Sequence, residues 1–240
     1  MQRRELLRWA AALALLAQPA LAPLAALPVE VAGVRLPRSP RALRAAAFAR
    51  AACPDFLFNH CLRTYVFGAL RLAQRRRSWH SEDAFIAAAL HDLGLLPRFA
   101  SAAGPFEQDG AQAAERWMRG AGGTAAQAGR VWYAVRLHDG AWTLTERAGS
   151  EAMLVALGAA ADVDGAPQAE LDARQSDEVV GAFPRLGFKR RFTELLVAHC
   201  QRKPGVQERT WLEGLCRAHG TAAPPADAVE REIAAAPFAE

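Results

Sequence analysis

The sequence is poor in β-branched runs, and this absence excludes a good deal. Sandwiches, barrels and parallel α/β sheets clothe their strands with Val, Ile and Thr, and the 240 residues offer no sustained stretch of them. Cysteine is scarce as well. Cys53, Cys61, Cys200 and Cys216 make neither a CxxC pair nor a dense pattern, which sets aside a cysteine-built zinc knuckle and a disulfide scaffold. Cys200 and Cys216 could bridge in an oxidising compartment, or remain ordinary buried thiols. Charge of one sign is in short supply. The 29 basic and 25 acidic residues leave a net of +4, dispersed and without an interleaved aromatic and basic tract, so nucleic acid is not an expected partner. Internal repeats and heptads are missing too.

What the chain has in abundance is alanine, 55 residues of it. Alanine has the highest helix propensity and surrenders no rotamers on burial, so the expectation is all-α, a single domain of closely packed helices. Apolar periodicity and turn residues place helices at 41–52, 57–75, 82–93, 108–119, 124–137 and 150–161, then at 189–202, 208–219 and 228–235. Residues 166–176 read as a loop or short helix. Ser81, ahead of Glu82 and Asp83, reads as a helix cap. Gly94 reads as a helix end where the backbone leaves the helical region.

The N-terminus reads differently. Residues 1–22 place Arg3, Arg4 and Arg8 before an apolar run from Trp9 to Ala17 and a small-x-small Ala20-Leu21-Ala22, the layout of an export signal. Arg3-Arg4-Glu5-Leu6-Leu7-Arg8 resembles a twin-arginine signal, without the Ser or Thr that usually precedes the pair. Export implies the twin-arginine machinery as a partner and the periplasm as a destination. The alternatives are a retained leader acting as an anchor, an N-terminal helix packed on the core of a cytoplasmic chain, and a start codon placed too early. The apolar run falls short of the roughly 20 residues that a spanning helix needs, so stable membrane insertion of the mature chain is not expected. Residues 23–40 read as an extended linker, 41–221 as the helical domain with its main motifs at 55–165, and 222–240 as a tail.

Chemistry-bearing residues gather at helix ends. His60 stands near the start of one predicted helix, His91-Asp92 closes an Ala-rich one, and Asp162 follows the apolar run from Met153 to Ala161. An adjacent His-Asp pair in apolar surroundings is costly to bury unless hydrogen bonds or a metal satisfy it. Two imidazoles and two carboxylates from separate helices form a mixed N/O donor set that suits a divalent ion, zinc ahead of iron or manganese. Arg63, one turn beyond His60, could orient a ligand, touch substrate or form a structural salt bridge. Asn59 could bind substrate or cap its helix. Glu107 and His138 are candidates for proton transfer, each with a plain alternative, a dipole-stabilising acid and a satisfied core histidine. Phe67, Phe99 and Phe106 could wall a small apolar pocket, while His80 and His219 read as surface residues and His199 as core.

The order of these residues resembles the HD superfamily of helical metal-dependent enzymes, whose signature of an isolated His, a contiguous His-Asp and a distant Asp falls on His60, His91-Asp92 and Asp162. The resemblance is closer to the cyanamide hydratase-like branch. It is carried by Asn59-His60-Cys61-Leu62-Arg63, His91-Asp92-Leu93-Gly94, Phe106-Glu107-Gln108-Asp109-Gly110-Ala111, Val135-Arg136-Leu137-His138 and Gly158-Ala159-Ala160-Ala161-Asp162-Val163. Cys61 replaces the usual Ser, Asp139 stands where Thr is common, and Asp164 adds an acid beside the last motif.

This resemblance implies a metal-dependent hydratase or hydrolase that adds water to a small nitrile-like or C–N substrate. Its ion would be held by His60, His91, Asp92 and Asp162. Asp92, His138 and Glu107 would serve catalysis, and Asn59, Arg63 and Phe106 would contact substrate. An HD-type phosphohydrolase is the first alternative, although Leu95 replaces the Lys of its His-Asp-x-Gly-Lys pattern. A metal-binding protein without turnover is the second. The sequence leaves a homo-oligomer open.

Overall fold

The computed structural model describes residues 27–165, 171–207, 210–219 and 228–240. The proposed leader, residues 1–22, and the Pro-rich stretch at 222–225 lie outside them. The described residues form a predominantly helical single domain, all-α apart from one small hairpin, in which β1 (Glu30–Val31) pairs antiparallel with β2 (Val34–Arg35). That hairpin sits within the segment read as an extended linker.

Eleven helices follow among the described residues: α1 (Pro40–Ala52), α2 (Asp55–Gln74), α3 (Ser81–Leu90), α4 (Phe106–Gly120), α5 (Ala125–Arg136), α6 (Trp142–Ala148), α7 (Ser150–Val163), α8 (Ala173–Ala182), α9 (Phe188–Arg202), α10 (Glu213–Ala218) and α11 (Ala228–Ala235). Two short 3-10 turns, Leu93–Leu95 and Pro97–Phe99, join α3 to α4. Most lie within a few residues of the predicted spans, whereas α6 and most of α8 were not foreseen. No described helix is long and apolar enough to cross a membrane.

Local chemistry explains several boundaries. Ser39 accepts the Ala42 N–H and Pro40 occupies the first position of α1, where its missing N–H costs nothing. Thr124 and Gln127 exchange side-chain and backbone hydrogen bonds in a capping box that opens α5. Ser81 departs from expectation. The cap position of α3 belongs to His80, whose N–H is accepted by Glu151 at 2.7 Å, while the Ser81 hydroxyl pairs with Tyr65 at 2.9 Å.

The centre of the fold is the long α2, packed most extensively against α7. Small residues set that distance. A Cβ on Gly68 would overlap the Leu154 carbonyl, and one on Gly158 would overlap the Thr64 carbonyl. The same logic applies on α3, which is buried on all sides from Asp83 to Leu90, with Ala84, Ala87, Ala88 and Ala89 letting neighbouring helices approach. Gly94 acts likewise, because a side chain there would overlap the Phe106 carbonyl. It does not adopt the left-handed conformation expected of a helix-ending glycine. A disulfide joins Cys200 of α9 to Cys216 of α10, and Cys53 and Cys61 are free and buried.

Candidate metal centre

Four helix ends and one helix interior converge in the core. His60 comes from the first turns of α2, His91 and Asp92 follow α3, Glu107 opens α4, His138 lies just past α5 and Asp162 is near the end of α7. All six are buried.

The three imidazoles share one arrangement. His91 Nδ1 donates to the Ala88 carbonyl at 2.8 Å and His138 Nδ1 to the Val135 carbonyl at 2.7 Å, each using the carbonyl three residues back that a helix end leaves open. His60 Nδ1 meets Asp162 Oδ2 at 2.7 Å. With every Nδ1 occupied, the Nε2 atoms turn to Asp92. His60 and His91 lie 3.3 Å from its Oδ2, and His138 lies 3.8 Å from its Oδ1. His60, His91 and Asp92 form a buried cluster whose ligand atoms all lie within 4.8 Å of one another.

The donor set fits a divalent cation on a second ground. His91 Nε2 and Asp92 Oδ2 are buried without a hydrogen-bond partner among the described residues. Orphaned acceptors in a core are costly unless a cation completes them. Burial, outweighing the pull of Asp92, drives the His91 pKa down to about 3 and keeps the ring neutral. Burial also opposes charge on His60, but the hydrogen bond to Asp162 and the nearby Asp92 carboxylate hold its pKa above the ordinary value. Burial favours protonation of Asp92, yet the nearby His91, His60 and His138 rings hold its carboxyl below the usual range.

Asp162, expected as the fourth ligand, occupies a different position. It faces the edge of His60 turned away from Asp92, and both its oxygens are engaged. Arg63 grips it with Nε and Nη2, each at 2.8 Å, and Arg185 Nη1 reaches its Oδ1 at 2.7 Å. Burial would raise its pKa, but Arg63 and the hydrogen bond from His60 hold it below the ordinary range. Asp162 thus supports His60 from behind. Asp164 lies beyond the end of α7 and is only partly buried.

Other expected residues also fall in definite places. Arg63 directs its remaining Nη1 to the carbonyls of Phe183 and Pro184 at 2.8 and 3.3 Å, so it braces a loop rather than facing the cluster. Asn59 donates to the same Pro184 carbonyl at 2.8 Å. Phe106 stands edge-on between His138 and His199, 5.6 Å from each ring. Phe67 and Phe99 pack instead on Phe238 and Phe48, away from the cluster. Glu107 is buried beside the Asp139 carboxyl, and burial followed by that neighbour pushes its pKa up to about 10. It carries its proton at neutral pH. Cys61 is a buried thiol whose pKa burial raises well above the ordinary value.

Sequence reasoning missed three contributors. Phe188 stacks on His60 at 4.8 Å and Phe192 lies 5.4 Å from it, so α9 roofs the cluster. Arg185, in the α8–α9 loop, completes the clasp on Asp162. A phenylalanine pair one helical turn apart was the available signal for the roof, but nothing local marks Arg185. No family model and no curated protein matches the chain.

Proposed function

We propose that this protein is a metal-dependent hydratase or hydrolase of the HD type, adding water to a small, uncharged nitrile-like or C–N substrate. The observation that carries the reading is the convergence of three anchored Nε2 atoms on Asp92 in the buried core. His60, His91 and Asp92 would hold the ion, zinc being the best match to two imidazoles and a carboxylate. A divalent ion so bound supplies a water of lowered pKa and polarises an electrophile beside it.

The chain's own residues account for the protons. His138, with Nδ1 bonded to Val135, turns its Nε2 toward Asp92, where it can take a proton from the attacking water. Glu107, neutral because it is buried, can give its proton to the nitrile nitrogen as the carbon–oxygen bond forms. Loss of that proton from His138 to water and uptake of one by Glu107 from water reset both groups. Loss of the hydroxyl proton to solvent and uptake of one at nitrogen then turn the imidic acid into an amide, or into a urea when the substrate is a cyanamide. Phe106 would bound the space on the His138 side.

A phosphoester is the weaker reading. A phosphoryl group needs several donors for its oxygens, and the two buried guanidiniums beside the cluster, Arg63 and Arg185, are both turned to Asp162. Export remains a proposal supported by the twin-arginine-like leader and by the Cys200–Cys216 disulfide, which suits an oxidising compartment.

The test is metal analysis of the full chain, with and without residues 1–22, followed by turnover of cyanamide, simple nitriles and phosphoesters. One divalent ion per chain and formation of urea or amide support the proposal. Substoichiometric metal, or metal retained after His91→Ala and Asp92→Ala, overturns it. Phosphate release with no hydration would favour the phosphohydrolase.

A further inference from the structure

We infer that Glu240 is a positioning residue of the metal centre, its carboxylate offsetting the charge of Arg185 so that Asp162 keeps His60 turned toward the cluster. The inference rests on the metal-dependent reading of the site.

The starting point is a charge count. Asp162 is wholly buried, and its single carboxylate accepts from two guanidiniums, Arg63 and Arg185. Two positive charges against one leave a buried surplus behind His60, on the side opposite Asp92. Placing a dication on His60 Nε2 would add to that surplus, and in a core of low effective dielectric such repulsion is weakly screened. A second carboxylate removes it. Glu240 Oε1 accepts from Arg185 Nε at 3.2 Å, giving a network of two guanidiniums and two carboxylates.

Glu240 is held in place by more than this ion pair. Its Oε2 accepts the Lys189 N–H at 3.1 Å, one of the amides that the start of α9 leaves open. Phe238 is buried and stacks on Phe67 at 5.6 Å, while Arg185 lies over the Phe238 and Phe188 rings at 5.0 and 4.8 Å. Lys189 Nζ reaches back to the Ala234 carbonyl at 3.3 Å. The guanidinium is thus sandwiched between two aromatic rings, with an acid at each edge.

The chain of contacts then runs Glu240, Arg185, Asp162, His60. Partners that touch a metal ligand directly typically alter metal affinity by about 10–100-fold, and Glu240 acts two contacts further out from a side chain that is 35% exposed, so about three- to tenfold is expected.

The experiment measures zinc affinity by competition with a chromophoric chelator, on the full chain and on its Glu240→Asp, Glu240→Gln and Glu240→Lys variants, alongside thermal unfolding of each metal-free protein. The inference expects affinity to follow charge rather than size. Asp should stay near the parent, Gln should weaken zinc about three- to tenfold and Lys should weaken it further. A purely structural role would lower the melting temperature and leave the affinity of the folded protein unchanged, and that result overturns the inference. Should Gln fold poorly, the ordering of Asp against Lys still decides. A parent chain that binds no zinc sinks the metal-dependent reading itself, and is distinguishable from variants that bind zinc as the parent does.

Discussion

Gly158 of α7 lies so close to the Thr64 carbonyl of α2 that no side chain fits between them. The contact fixes the geometry of the site, since His60 is one turn before Thr64 and Asp162 one turn after Gly158, and their side chains meet at 2.7 Å. Gly158→Ala must force two backbones apart and is expected to destabilise the fold by about 3 kcal/mol or more. Urea unfolding checks this. A midpoint close to that of the parent would show that the helices yield easily.

Asp92 and Asp162 are both buried carboxylates, yet their amide variants should behave differently. On the proposed reading Asp92→Asn removes one of the three groups that would hold the ion, so metal binding and turnover should be lost together. Asp162→Asn leaves Arg63 and Arg185 facing a neutral amide, with an expected cost of about 3–5 kcal/mol, because breaking a buried pair leaves charge uncompensated. Its metal affinity should fall by about 10–100-fold without vanishing. A stable Asp162→Asn protein with no metal at all would instead make Asp162 a direct ligand.

Glu107 gives a pH dependence of definite sign. Its pKa in the folded protein is pushed up to about 10 from an ordinary 4.5, so between those values the native state keeps a proton that the unfolded chain has lost. This group's contribution is therefore most favourable below about pH 4.5, and stability declines as pH rises toward 10. Glu107→Gln should raise stability near pH 8 by about 2 kcal/mol, flatten the decline and abolish hydration. Melting temperature against pH is the readout, and an unchanged slope would place the titration elsewhere.

The Cys200–Cys216 bridge closes a loop with a sequence separation of 16, for which chain-entropy arguments give about 3 kcal/mol. Reduction, or Cys200→Ser, should lower the melting temperature while leaving bound metal intact, because neither cysteine belongs to the cluster. Loss of metal on reduction would tie α10 to the site more closely than its position indicates.

The sequence was most readable at helix ends. His91-Asp92 follows an alanine run and Asp162 follows another, so patterning singled them out and the HD resemblance gave them their expected roles, while an all-α domain followed from the same composition. What escaped was non-local. Asp162 looked like a fourth ligand because its position resembles one, and only the packing of Arg63 and Arg185 turned both its oxygens away from Asp92. Arg185 and Glu240 belong to neither a periodic stripe nor a motif. The Ser81 hydroxyl could have capped its helix, but Glu151, 71 residues from His80, supplies the acceptor. Side chains brought together across such distances leave no local trace.

The alanines of α3 carry a consequence for how this chain can vary. Ala84, Ala87, Ala88 and Ala89 have at most 1% of their surface exposed, with helices close on every side. Substituting any of them adds atoms where there is no space or, with glycine, loosens the helix that ends at His91. The exposed arginines at 75–77 face no such restriction. A composition that looks repetitive marks the part of the molecule with the fewest permitted spellings, and a library randomised across α3 should return far fewer folded members than one randomised across Arg75-Arg76-Arg77.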